Sequence, residues 1–191
     1  MALDALLAEI RGCTVCAAKL PLGPRPIVQA ATAARLLIIG QAPGTRVHQS
    51  GIPWDDASGE RLRDWTGLLP DTFYDPAQVA LMPMGFCYPG TAASGGDAPP
   101  RRECAPLWHD RLRAKLPAVQ LTLLVGSFAQ KAYLGRAATL TDAVRQFAAA
   151  PTGIFPLPHP SWRSTGWMRN NPWFEAEVLP ALQGRVATAL A

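Results

Sequence analysis

The sequence predicts an α/β fold, a three-layer sandwich with a central four-stranded, mostly parallel sheet, and three observations carry that reading. Two apolar runs, residues 35–40 and 119–125, have the near-continuous hydrophobicity of strands buried on both faces. Strand, tight turn and helix recur along the chain, the order that builds parallel crossovers. The 191 residues are 49% hydrophobic and 17% charged, enough for one core spanning residues 1–191 and too little repulsion for wholesale disorder.

Each element follows from local pattern. Leu3, Leu6, Leu7 and Ile10 recur at helical spacing and the pattern stops at Gly12, so residues 2–12 open the chain as a short helix. A Pro-rich connector at 21–26 leads to the first strand, 35–40. Residues 41–54 are rich in Gly, Pro and polar side chains and read as a loop, after which Ser58 is placed to cap a helix reaching about residue 69. Residues 78–82 read as the second strand. The stretch 82–103 carries too many Gly and Pro for a regular element, and so long a loop inside a compact domain is usually functional or tied down. A helix over 103–115, the third strand and a helix opened by Gly126 and Ser127 follow. Thr139 caps a helix to Phe147, residues 153–157 form a short strand, 159–166 a loop, and a helix from Pro172 ends the chain. In open parallel sheets ligands bind beyond the carboxyl ends of the strands, where 40–44 and 159–161 fall.

Composition excludes some functions. No run of 18 apolar residues occurs, and Asp4, Glu9 and Arg11 interrupt the N-terminal segment where a secretory leader needs an unbroken apolar stretch. A cytoplasmic monomer with no membrane association is the expectation. Eighteen Lys and Arg against fourteen Asp and Glu give +4, compatible with a phosphate-rich partner without requiring one.

Cys13, Cys16, Cys87 and Cys104 suit metal or redox chemistry better than disulfides in a reduced compartment. Four thiolates hold either tetrahedral zinc or an iron-sulfur cluster, spacing does not choose between them, and four separately buried thiols are the plain alternative. Gly40 and the segment Gln41, Ala42, Pro43 and Gly44 offer backbone N–H groups and close approach to an oxygen-rich ligand, with no lysine of the Walker kind after them. Trp54 sits beside Asp55 and Asp56 just before a helix, so Asp56 serves either as a reactive carboxylate or as a helix-start residue favoured by the dipole. His159, between two prolines, is stiff enough to hold one tautomer toward a developing anion, and Ser161, Trp162 and Arg163 can meet phosphate or a stacked base. His48 and His109 have no comparable surroundings and read as surface residues.

Taken together, the segment 40–44, the Trp-Asp-Asp-Ala-Ser-Gly run at 54–59, four cysteines in this order and His-Pro-Ser at 159–161 resemble the uracil-DNA glycosylase superfamily, in particular its prokaryotic iron-sulfur branch, like its families 4 and 5. The likeness spans residues 13–163. It implies a structural [4Fe-4S] cluster on Cys13, Cys16, Cys87 and Cys104, with zinc the alternative, and a four-stranded parallel sheet between helices with the site at its edge. Residues 41–44 then line the base pocket, Trp54 takes the place of the Phe that stacks on the extruded base, His159 stabilises the departing base anion, and Ser161, Trp162 and Arg163 meet DNA. The chain departs from the pattern twice. Gln41 stands where the thermophile branch has Glu, so the acidic role passes to Asp56, in a run similar to the Asp-Ala-Ser-Gly motif of the broad-specificity branch, with Asp55 as substitute. Pro83 stands where an Asn often reads uracil, which extends the expected substrates to other deaminated bases in DNA.

The resemblance thus implies a monofunctional glycosylase acting in base excision repair and leaving an abasic site. A catalytically weak or inactive DNA-binding member with a structural cluster is the alternative. An unrelated zinc-stabilised domain binding a nucleotide is a third.

Overall fold

The computed structural model describes residues 2–93, 95–135 and 139–191; Ser94, within the long loop expected at 82–103, lies outside the described residues. In chain order the elements are α1 (Leu3–Arg11), β1 (Leu36–Ile39), α2 (Thr45–Ser50), α3 (Ala57–Thr66), α4 (Pro70–Phe73), β2 (Val79–Leu81), α5 (Cys104–Arg113), β3 (Leu121–Val125), α6 (Ser127–Tyr133), α7 (Leu140–Arg145), β4 (Ile154–Leu157), α8 (Ser164–Asn170) and α9 (Leu179–Leu190), with a π-helical turn at Phe174–Val178 before α9. The strands form one sheet in the order β2-β1-β3-β4 with every pairing parallel, so the expected mostly parallel sheet is parallel throughout. Pro156, which lacks an N–H, is tolerated because β4 is an edge strand.

Alternation along the strands builds the three layers. Leu37 and Ile39 of β1, with Ala80 and Leu124, face one way and pack on Leu6 and Ile10 of α1 and Trp108 and Leu112 of α5. Leu36 and Ile38, with Val79, Leu81, Leu123 and Phe155, face the other way and pack on Leu62 and Trp65 of α3, Val144 of α7, and Leu182 and Val186 of α9. Both faces are sealed, which is why these runs carry no polar alternation.

Local signals explain several boundaries and correct others. Thr139 caps α7 in a reciprocal box with Asp142. At α3 the cap is Asp56 rather than Ser58, its Oδ1 accepting from the Gly59 N–H at 2.8 Å, and the helix ends at Gly67 in the left-handed region, so α4 starts anew at Pro70. Helix α2 lies inside the segment read as a loop, and α8 takes up the end of the segment 159–166.

His48 and His109 are buried, not on the surface. On α5, His109 lies three residues before the buried Leu112 and so shares its inward face. Its Nδ1 is 2.7 Å from the Tyr133 hydroxyl and its Nε2 3.1 Å from the Pro83 carbonyl, partners from distant segments that no local pattern announces. Burial lowers the pKa of His109 below the ordinary 6.5. The unfolded chain therefore binds a proton that the folded one refuses. The stabilisation is complete above about pH 6.5 and is lost as pH falls from there toward the folded pKa. Burial shifts His48 and His159 in the same direction, so urea midpoints should fall on acidification, and His109→Gln should flatten that slope while costing about 1–3 kcal/mol at neutral pH. An unchanged slope would remove His109 from the account.

Candidate active site

The carboxyl ends of the strands meet at one edge of the sheet, where a cavity of about 730 Å³ opens, within the usual range for ligand sites. The chain leaves β1 toward β2 on one side and β3 lies on the other, so this is also where the strand order reverses. Gly40 and residues 41–44 after β1, Leu81 and Pro83 at the end of β2, Phe128 of α6, and His159, Ser161, Trp162 and Arg163 after β4 all line it, with Trp54 and Asp56 completing the wall. The structure thus gathers into one cavity every pocket, catalytic and DNA-contact residue expected from sequence. Asp55, the expected substitute carboxylate, is not among the lining residues.

Close contacts explain the small residues. An added Cβ on Gly40 would lie 2.6 Å from the Trp54 indole, so glycine lets the ring lie against the end of β1. The Gly40 and Gln41 carbonyls accept from the Met84 and Gly85 N–H groups at 2.8 and 3.0 Å, tying this turn to the segment after β2. Trp54 itself has φ 58°, the single non-glycine residue in the left-handed region among the described residues, at a cost of roughly 1–2 kcal/mol. Its carbonyl is held by the Tyr74 hydroxyl at 3.3 Å and Arg63 at 3.5 Å, and any side chain at residue 59 would strike that carbonyl. Strain fixed this way turns the indole toward the cavity, 5.9 Å from the His159 ring between centroids.

His159 follows Pro158 directly after β4. Ser164 donates to its carbonyl at 2.5 Å, and its Cβ lies 3.4 Å from the Cβ position of Gly126, whose φ of 88° makes room at the end of β3. Arg61 of α3 donates to the Ser161 carbonyl at 2.8 Å and steadies the turn that follows. Burial lowers the His159 pKa, with the Asp56 charge opposing it, so the imidazole is neutral at neutral pH and can offer an N–H. Asp56 sits at the head of α3, where the helix dipole favours negative charge. Trp162 is 75% exposed at the mouth, with the Arg163 guanidinium over its ring at 5.5 Å.

Sequence reasoning missed Asp97, which lines the mouth, and the apolar Phe128. The length of the 82–103 segment pointed to that stretch, but nothing local singled out one acid within it. Arg63 and Tyr74, which hold Trp54, had no signal at all.

The four cysteines line a second, smaller cavity together with Leu20, Pro26, Phe86, Arg101 and Trp108. All four are free thiols, three of them buried. Burial pushes the Cys87 and Cys104 thiols up to about 11. Among the described residues no three His, Cys, Asp or Glu side chains are gathered closely enough to hold a metal ion. The donor set nonetheless matches a sulfur-ligated group in kind: four thiols, an apolar shell, and the Arg101 guanidinium beside Cys16 to offset thiolate charge.

Among the described residues no helix is long and apolar enough to cross a membrane. A family model, that of the uracil DNA glycosylase superfamily, matches residues 28–183. The match runs from just before β1 into α9, covering the whole sheet and every residue that lines the large cavity except Ile27. With that span and an all-parallel sheet carrying the cavity at its carboxyl edge, the chain belongs to the uracil DNA glycosylase superfamily.

Proposed function

We propose that the chain is a monofunctional DNA glycosylase of the iron-sulfur branch, hydrolysing the bond between deoxyribose and uracil or another deaminated base. The observation that carries this reading is the convergence of Trp54 and Asp56, from the segment that opens α3, with His159 after β4 and residues 41–44 after β1 on one cavity. A base within a duplex hides its glycosidic bond, so it must be extruded and held. Trp54 provides a face for stacking, and the backbone of residues 41–44 provides the wall. Bond cleavage places positive charge on the sugar and negative charge on the base. Asp56 answers the first and the neutral imidazole of His159 donates to an oxygen of the second, each fixed before the reaction begins.

Pro83 offers its carbonyl to His109 and has no side-chain donor, so base selection falls to the shape of the cavity and to backbone groups. Exposed Trp162 and Arg163 at the mouth suit the flanking nucleotides. Cys13, Cys16, Cys87 and Cys104 would hold a [4Fe-4S] cluster, which would cross-link the N-terminal segment to α5 as a structural element.

The test is a panel of labelled oligonucleotides containing uracil, hypoxanthine or xanthine, treated with alkali after incubation to break the strand at abasic sites. Cleavage of the uracil strand is expected, with measurable cleavage of at least one purine strand. Binding without cleavage of any strand would favour the inactive DNA-binding reading.

A further inference from the structure

The cavity holds a second carboxylate with no role so far. Oδ2 of Asp97 lies 3.3 Å from the position a Cβ on Gly44 would take, and Oδ2 of Asp56 lies 3.8 Å from that same position, so the two acids flank one glycine. Their bonding differs. Asp56 commits Oδ1 to the Gly59 N–H, whereas the Asp97 carboxylate has no hydrogen-bond partner among the described residues. The backbone around Asp97 is nevertheless tied down: it bridges Thr91, and the Ala92 and Ala98 N–H groups donate to the Gly96 and Gly90 carbonyls, both at 2.8 Å. An acid held at the mouth of a cavity that must admit DNA repels phosphate, a cost that calls for a use.

We infer that Asp97 accepts the proton of the attacking water, while Asp56, fixed at the head of α3, faces the sugar cation. The inference rests on the glycosylase reading. The C1′–N bond breaks with its electron pair going to the base. The water oxygen bonds to C1′, one water proton passes to the Asp97 carboxylate, and that proton then goes to the base anion, leaving a sugar hydroxyl and a neutral base.

The surroundings of the two acids support this division of labour. Asp97 is exposed at the mouth, yet the adjacent wall withdraws enough solvent to raise its pKa; the Asp56 charge adds to that rise and the Arg163 guanidinium opposes it. A carboxylate shifted toward neutrality is the better proton acceptor of a pair. The charged and titratable groups facing Asp97 are thus Asp56 at the start of α3 and Arg163 after β4, with His159 beyond Asp56.

The experiment compares wild type, Asp97→Asn and Asp97→Glu in single-turnover excision from about pH 5 to pH 9, with DNA affinity measured in parallel. Asp97→Asn should slow excision by about 10²–10⁴-fold, bind DNA at least as tightly, and lose the Asp97 component of the acidic limb, leaving that of His159; Asp97→Glu should recover part of the rate. An Asn variant within about threefold of an active wild type, or one whose loss is confined to DNA affinity, overturns the assignment and leaves the glycosylase reading standing. A wild type inert on every oligonucleotide of the panel overturns both.

Discussion

Replacing Asp56 by Asn is expected to lower single-turnover excision by about 10²–10³-fold while shifting the melting temperature by no more than a few degrees. The two outcomes separate because the proposed reading gives Asp56 two tasks. One oxygen caps α3, a task that Asn performs about as well as Asp. The charge beside the sugar is what Asn lacks. Asp56→Ala removes the cap as well and should cost about 1 kcal/mol of stability on top of a similar loss of rate. His159→Ala should reduce the rate by a comparable factor through loss of the donor to the departing base, and the double variant should lose less than the product of the two, since both groups act on one transition state. Rates from quenched single-turnover assays, paired with thermal melts of each variant, read this directly. Wild-type rates in Asp56→Asn would mean that the carboxylate beside Trp54 is a helix cap and nothing more.

That double duty marks the limit of what local sequence could say. Asp56 before Ala57 and Ser58 reads as a helix-start acid favoured by the dipole or as a reactive acid, with the cap given to Ser58; the structure makes Asp56 the cap while also placing it in the cavity wall. The sheet was legible because strands sealed on both faces leave continuous apolar runs, and the cavity was legible because residues after such strands must meet at one edge. Helix α2 was not, since its six residues carry a single buried aliphatic side chain, Val47, and no apolar period. His109 was not, because its partners Tyr133 and Pro83 are fixed by tertiary packing rather than by spacing along α5. Asp97 was hidden for a related reason. A Gly- and Pro-rich loop has no period to tell which of its side chains points inward, so only the folded path around Asp97, which bridges Thr91, brings that acid to Gly44.

Replacing Cys104 by Ser is expected to bleach the protein and to lower its melting temperature by on the order of 10 °C, the scale for losing a cross-link worth about 2–5 kcal/mol in a chain of this size. The N-terminal segment explains why the effect should be large. Between α1 and β1, residues 12–26 carry only one short helical turn, Ala17–Lys19, and leave Val15 65% and Leu22 52% exposed. The buried side chains that gather there are Cys16, Leu20 and Cys87, too few to order the segment by apolar burial alone. Ion pairs add little: Lys19 meets Glu103 at an exposed contact, and Arg101 meets the same carboxylate at a contact that is only part-buried. On the proposed reading, a group bound by four thiolates would close that gap, joining residues 13 and 16 to the start of α5 and to the segment after β2. Purified wild type should therefore be brown, with broad visible absorption and matching iron and sulfide content. The folded fraction of Cys104→Ser should excise at close to the wild-type rate, because the thiols line a separate cavity from Asp56 and His159. A colourless wild type carrying zinc would reassign the metal and keep the cross-link. A metal-free wild type that melts together with Cys104→Ser would show that four thiols pack side by side without a shared ligand.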